Sequence, residues 1–199
     1  MEQRDGWGDT RDRGMSRLSE HVGDVLDDVR HLRRRFATTA PRAWDPSTAA
    51  AELSVQVGHL ALCLLRDHGA DVTGLEDPRR PLEDVGDELA DIVLAALSIT
   101  VLARCEPIGC AEPPRAETAL DAFLRLLVAA GTLSEAALVE HHYRHRPEGS
   151  PPSLPEAAGA VVAACDVLAD QLGLDLIGEF RAMVADACSF LDQREGNVS

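Results

Sequence analysis

The chain has 199 residues, of which 45% are hydrophobic, and its formal net charge is −15. This length can bury a substantial core, either as one domain or as two tightly joined halves. The acidic balance excludes a general affinity for nucleic acid, because such binding needs a basic surface that neutralises phosphates.

The first half of the chain predicts a mobile tail followed by helices. Residues 1–15 are rich in Gly, Asp and Arg and lack an apolar pattern, which is typical of a mobile tail. Ser16 is placed to cap the first helix, and the pair Asp45 and Pro46 is placed to begin the second. The apolar periodicity predicts helices over residues 16–36, 46–68 and 82–103. Residues 16–105 therefore form a first helical half.

The second half also predicts helices. Residues 106–116 contain several prolines and glycines and predict a linker, and residues 117–199 form the second helical half. We expect a break at Gly131 and a helix end at Gly173. The predicted helices cover residues 117–130, 133–143, 154–172 and 174–193. Because almost nothing alternates with the period of a strand, the sequence predicts an all-α fold.

Two patterns in the first half have faint echoes in the second. Gly58-His59-Leu60 is echoed by residues 131–133, and residues 88–93 are echoed by residues 157–162. In the echoes, alanine and threonine replace the polar side chains. The similarity predicts two tandem helical repeats, of which the second has lost its polar stripe.

Two predicted helices each carry a stripe of polar side chains spaced one turn apart. The stripes consist of Glu52, Gln56 and His59 on one helix, and of Asp84, Glu88 and Asp91 on the next. Both stripes are set among apolar residues, so two such helices packed antiparallel would direct them at each other inside an apolar bundle. Burying carboxylates there is costly unless a cation shares them, which favours a divalent metal site.

These segments resemble the signature helices of the all-α nucleoside triphosphate pyrophosphohydrolases of the MazG and dCTPase type. One signature helix of that family carries E-x-x-E, and the next carries E-E-L-x-D-V. Glu88 and Asp91 match the second pattern, whereas Gln56 and His59 stand where the first pattern has its two glutamates. The preceding Trp44-Asp45-Pro46 is similar to the W-D-P that leads into the first signature helix.

The resemblance implies hydrolysis of a nucleoside triphosphate to the monophosphate and pyrophosphate, assisted by Mg²⁺. It implies that Gln56, His59, Glu88 and Asp91 are the metal ligands. Alternatively, the site is a relic in which hydrogen bonds join His59 and Gln56 to the acids. Because Gln and His are neutral, the altered shell would bind Mg²⁺ more weakly and would shift the preference toward Mn²⁺ or another softer divalent metal.

The remaining assignments concern the reaction and its substrate. Glu52 or Asp87 is expected to act as an auxiliary ligand or as the base that activates water, and Asp84 is a further candidate at the substrate. Trp44 either stacks on a nucleobase or packs the start of its helix. The basic end of the first helix, including Arg35, either faces phosphate or forms a solvated surface.

Three functions stay open at this point. The chain is a metal-dependent nucleotide pyrophosphohydrolase, a catalytically inactive nucleotide-binding or protein-interaction module of the same fold, or a structural helical partner. The expected partner is a nucleotide or a related phosphorylated small molecule. Relatives associate through their helices, so the two halves here would form a pseudo-dimer within one chain, and a homodimer of whole chains stays open.

Cysteine use and hydropathy bear on the compartment. The five cysteines form no CxxC pair, and Cys63, Cys165 and Cys188 lie in apolar helical patterns, which predicts buried free thiols. The longest apolar run, residues 92–103, is too short to cross a bilayer, and no signal peptide is apparent. We therefore expect a cytoplasmic protein without a membrane partner.

Overall fold

The computed structural model describes residues 17–76, 82, 84–109, 115–142, 145–146 and 148–196, without the side chains of residues 195 and 196. Within these ranges the chain forms six α-helices, one 3₁₀ helix and no strand, so the predicted all-α class is confirmed. The α-helices are α1 (Val22–Thr39), α2 (Pro46–Asp67), α3 (Val85–Ala103), α4 (Ala119–Glu140), α5 (Leu154–Leu172) and α6 (Leu176–Gly196). The predicted mobile tail and Cys110 lie outside the described residues.

Several helix ends follow the predicted capping residues. The Asp45 carboxylate accepts a hydrogen bond from the backbone N–H of Thr48, and Pro46 occupies the first position of α2. Gly173 ends α5 in the left-handed region, with φ of 70°. Capping depends on residues close together in sequence, so the sequence alone predicts where these helices begin and end.

Two predicted boundaries are wrong. Gly131 does not interrupt the second half, since α4 continues through it from Ala119 to Glu140. A glycine inside a helix costs about 1 kcal/mol, and burial of the neighbouring Ala130 and Leu133 outweighs this cost. The first helix is not continuous either, because a 3₁₀ turn at Leu18–Glu20 precedes α1. Ser16, its expected cap, lies outside the described residues.

Helix α3 is the centre of the bundle. It packs against α1, α2, α5 and α6, and every residue from 92 to 100 is buried. The hydroxyls of Ser98 and Thr100 donate to carbonyl oxygens of their own helix, at 2.6 and 2.8 Å. Glu88 is the only buried charged side chain of α3, a helix that the structure describes over its whole length.

The two predicted halves share one core. A single cluster of buried apolar side chains extends from α1 to α6. Helix α2 packs along α3, α4 packs along α5, and α2 also contacts α4. The loop after α3 is attached to α5, because the Ile108 N–H donates to the Pro155 carbonyl at 2.9 Å.

Asp166 of α5 fixes the start of the described chain. Its carboxylate is buried and accepts the backbone N–H groups of Leu18 and Ser19, at 2.8 and 3.0 Å. We expect Asp166→Asn to lower the free energy of unfolding by about 1–3 kcal/mol, because a buried N–H loses its acceptor. Urea denaturation measures this effect.

The matched control is Asp170→Asn, one turn further along α5. Asp170 forms an exposed ion pair with Arg17 at 2.9 Å, so its substitution is expected to cost less than about 1 kcal/mol. Equal losses for Asp166→Asn and Asp170→Asn would contradict the role assigned to the buried carboxylate.

Two described helices, α2 and α4, are long and apolar enough to cross a membrane by length and composition alone. Core helices of soluble proteins pass the same test. In α2 the apolar residues Leu53, Val57 and Leu60 are buried in the core. Helix α4 also exposes large apolar side chains along one face, namely Leu120, Leu124, Leu127 and Val128.

Candidate functional site

The polar stripes of α2 and α3 meet in the structure. Glu88 of α3 is only 5% exposed. The Nδ1 atom of His59 on α2 lies 3.4 Å from the Oε2 atom of Glu88. The periodicity of the two sequences thus places a histidine against a buried carboxylate where α2 packs along α3.

Hydrogen bonds extend this contact along α2. The Gln56 Nε2 donates to the Glu52 Oε1 at 3.0 Å, and the Gln56 Oε1 lies 3.1 Å from the His59 Nδ1. A carboxylate only accepts, so the amide nitrogen of Gln56 faces Glu52. The Gln56 oxygen and the Glu88 carboxylate are also acceptors, which places the ring hydrogen of His59 on Nδ1. We call Glu52, Gln56, His59 and Glu88 the relay.

A cleft of about 310 Å³ lies beside the relay, between α1, α2 and α3. Its walls combine aromatic, charged and small side chains. The lining residues are Arg33, Phe36, Thr39, Ala40 and Trp44 from α1 and the loop after it, Glu52 and Gln56 from α2, and Asp91, Leu94, Ala95 and Ser98 from α3. The cleft and the relay therefore share Glu52 and Gln56.

Arg33 is held in this cleft by aromatic rings. Its guanidinium carbon lies 4.8 Å from the ring centre of Phe36 and 4.6 Å from that of Trp44. Its Nε–H is buried without a hydrogen-bond acceptor among the described residues. Burial lowers the pKa of the Arg33 guanidinium, and the charge of Glu52 partly offsets that effect. Arginine nevertheless stays protonated in proteins, so the cleft contains a fixed cation.

Three of the side chains assigned to the site from sequence belong neither to the relay nor to the lining of the cleft. Arg35 is directed to α6, where its guanidinium pairs with the Asp192 carboxylate at 2.7 Å. Asp84 is the N-cap of α3 and accepts the backbone N–H of Gly86 at 2.7 Å. Asp87 lies in the first turn of α3, where its negative charge suits the helix dipole.

The helical pattern of α1 distinguishes Arg33, which lies in the cleft, from Arg35, which does not. Arg33 follows Val29 by four residues and precedes Phe36 by three, so it lies on the apolar face of α1. Arg35 is two residues further on, which is about half a helical turn and therefore the opposite side. The positions of Arg33 and Arg35 around the helix therefore place Arg33 on the apolar face and Arg35 on the opposite side.

The relay as arranged does not fit the divalent metal that the resemblance implies. Among the described parts of the chain, no three His, Cys, Asp or Glu side chains are grouped closely enough to hold a metal ion. Gln56 is bonded at both ends of its amide, and the Nδ1 of His59 carries hydrogen on the side that faces Glu88. Mg²⁺ and Mn²⁺ need lone pairs, mostly of oxygen, directed at one point.

The pair His141 and His145 does not form a zinc-binding helical turn. Helix α4 ends at Glu140, and His142 has φ of 60°, in the left-handed region. Zinc binding by two histidines four residues apart requires a continuous helix, which is absent at that point of the described chain.

The described cysteines are free thiols. Cys63 and Cys165 are buried, as predicted, whereas Cys188 is half-buried. Burial raises the pKa of the Cys63 thiol to about 11 and also raises the pKa of the Cys165 thiol. Thiols with a raised pKa are poor nucleophiles, so these two side chains serve packing.

No protein-family model, no curated protein and no solved structure matches this chain. The resemblance to the MazG-type pyrophosphohydrolases therefore stays a prediction based on residues 44–60 and 87–93.

Proposed function

We propose that the cleft binds a nucleotide or a related phosphorylated small molecule, and that the chain is a nucleotide-binding module of the all-α pyrophosphohydrolase type. One observation carries the proposal. The Arg33 cation rests on the rings of Phe36 and Trp44, in a cleft that also contains the carboxylates of Glu52 and Asp91.

Each part of the cleft suits a different part of such a ligand. The planar guanidinium of Arg33 can donate two parallel hydrogen bonds to a phosphate. The ring of Trp44 offers a flat surface for a heterocycle. Glu52 and Asp91 can accept hydrogen bonds from the N–H groups of a base or the hydroxyls of a sugar. The volume of about 310 Å³ is at the small end of ligand sites, which suits one nucleoside.

Charge sets a limit on the number of phosphates that contact protein. Of the described residues that line the cleft, Arg33 is the only cation, and the chain as a whole carries −15. Contact with Arg33 thus favours one phosphate group, and further phosphates are expected to remain in solvent.

A second candidate function is hydrolysis of the bound nucleotide to the monophosphate and pyrophosphate. Glu88 favours it, because a buried carboxylate paired with a histidine is a common acid–base arrangement in active sites. Under this proposal, Mg²⁺ or Mn²⁺ arrives on the triphosphate and neutralises its charge.

We also propose that α2–α3 and α4–α5 are two related helical pairs, joined as a pseudo-dimer. Both pairs pack along their length. Ala157 of α5, the counterpart of Glu88 in the echo, is buried in the second pair as Glu88 is buried in the first. In the second pair, a buried alanine therefore occupies the position that the buried carboxylate of Glu88 occupies in the first.

A panel of ribonucleotides and deoxyribonucleotides tests the binding proposal. We expect at least one member to raise the melting temperature of the chain, since a ligand that binds only the folded state stabilises it by about 2.7 kcal/mol at one hundred times its Kd. Release of pyrophosphate from the same samples, with Mg²⁺ or Mn²⁺ added, distinguishes hydrolysis from binding alone. A melting temperature unaffected by the whole panel would contradict the proposal.

A further inference from the structure

We infer that the relay takes the place of a divalent metal ion, so that the ligand-free protein binds neither Mg²⁺ nor Mn²⁺ between α2 and α3. The inference goes beyond the proposed function, because it concerns the protein before any nucleotide binds.

Hydrogen bonds along α2 join three side chains of the relay, Glu52, Gln56 and His59. Glu52 accepts from Gln56, and the oxygen of Gln56 accepts from the Nδ1–H of His59. The same Nδ1–H faces the carboxylate of Glu88. A metal ion at this point would have to replace these contacts, and it would meet a hydrogen atom where it needs a lone pair.

The relay also removes the electrostatic reason for a metal. The carboxylates of Glu52 and Glu88 stand at opposite ends of it, separated by the neutral amide of Gln56 and the ring of His59. The Nδ1–H of His59, 3.4 Å from the Oε2 atom of Glu88, thus offsets part of the charge of the buried carboxylate, which a cation would otherwise have to balance.

The double variant Gln56→Glu with His59→Glu tests the inference. It removes both internal donors and brings two further carboxylates beside Glu52 and Glu88, which supplies the oxygen ligands that Mg²⁺ prefers. We expect wild type treated with EDTA to show no saturable binding of Mn²⁺ or Mg²⁺ by calorimetry. The double variant is expected to gain saturable binding of Mn²⁺ at one site and to melt at a higher temperature when the ion is added.

A control variant carries the same added charge on the exposed side of α2. Val55→Glu with Gly58→Glu uses two exposed positions at the same spacing, and nothing lies within 4 Å of a Cβ placed on Gly58. We expect it to bind Mn²⁺ no better than wild type. Equal gains in the two variants would mean that total charge, rather than the relay, decides binding, and this would overturn the inference.

The wild-type titration is decisive even if the double variant does not fold. Saturable binding of one Mn²⁺ by the ligand-free wild type, lost in His59→Ala, would place a metal at the relay and overturn the inference. A folded double variant that still binds no metal would overturn it as well. No nucleotide is present in these titrations. A result that overturns this inference therefore leaves the proposed nucleotide binding untouched, and the reverse also holds.

Discussion

Replacing Gly159 with alanine is expected to lower the free energy of unfolding by about 3 kcal/mol, near the upper end of overpacking effects. Gly159 lies on α5 directly beneath the loop that follows α3. A Cβ atom at this position would stand 1.8 Å from the carbonyl oxygen of Ile108 and 2.8 Å from its carbonyl carbon. These are backbone atoms, so the loop itself has to move.

Moving the loop breaks a further contact. The N–H of Ile108 donates to the carbonyl of Pro155 at 2.9 Å, one turn before Gly159. The loss therefore combines steric repulsion with a broken hydrogen bond. Urea denaturation monitored by circular dichroism measures the change.

Gly131→Ala is the matched control for Gly159→Ala. Gly131 is an exposed residue inside α4, and nothing lies within 4 Å of an added Cβ. Alanine there is expected to stabilise the chain by about 0.5–1 kcal/mol, because it restricts the unfolded state and favours the helix. A Gly159→Ala variant as stable as Gly131→Ala would contradict the described packing of the loop on α5.

Arg33→Met is expected to weaken nucleotide binding by at least about tenfold, since hydrogen bonds to charged groups contribute about 1.5–3 kcal/mol. Methionine keeps an apolar stem against Phe36 and Trp44 and removes the cation. Because the buried Nε–H of Arg33 has no acceptor among the described residues, the substitution is not expected to destabilise the fold. Equilibrium dialysis with a labelled nucleotide measures the affinity, and thermal melting measures the stability.

Two neighbouring arginines serve as controls for Arg33→Met. Arg34 is exposed on α1, so Arg34→Met is expected to leave affinity unchanged within about twofold, as is usual for surface changes. Arg35→Met removes the pair with Asp192 on α6 and is expected to affect stability slightly, without effect on binding. A loss of affinity in Arg35→Met, but not in Arg33→Met, would favour the arginine chosen from sequence.

The sequence predicted those features that depend on local pattern. Helix α2 begins at the Asp45 and Pro46 pair, and α5 ends at Gly173, because capping chemistry acts over a few residues. The meeting of His59 with Glu88 followed from the helical period, which fixes the face that each side chain occupies.

Other features depend on how the helices and loops pack in three dimensions, which the local sequence pattern does not determine. The bond from Gln56 to Glu52 runs along α2 rather than across to α3, and this choice depends on the rotamers that the packed helices allow. The contact of Gly159 with Ile108 joins α5 to a loop that precedes it by about fifty residues, for which no local pattern exists. The packing of α4 likewise outweighs the propensity of Gly131 to end a helix.

Calorimetric titration of the wild-type chain with individual nucleoside mono-, di- and triphosphates, in buffer that contains EDTA, tests the central claim most directly. We expect saturable binding of at least one of them at a single site. The same titration is expected to show weaker binding to Arg33→Met and unchanged binding to Arg34→Met. An absence of saturable binding for every nucleotide, or equal affinity in wild type and Arg33→Met, would contradict the assignment of the cleft as a nucleotide site.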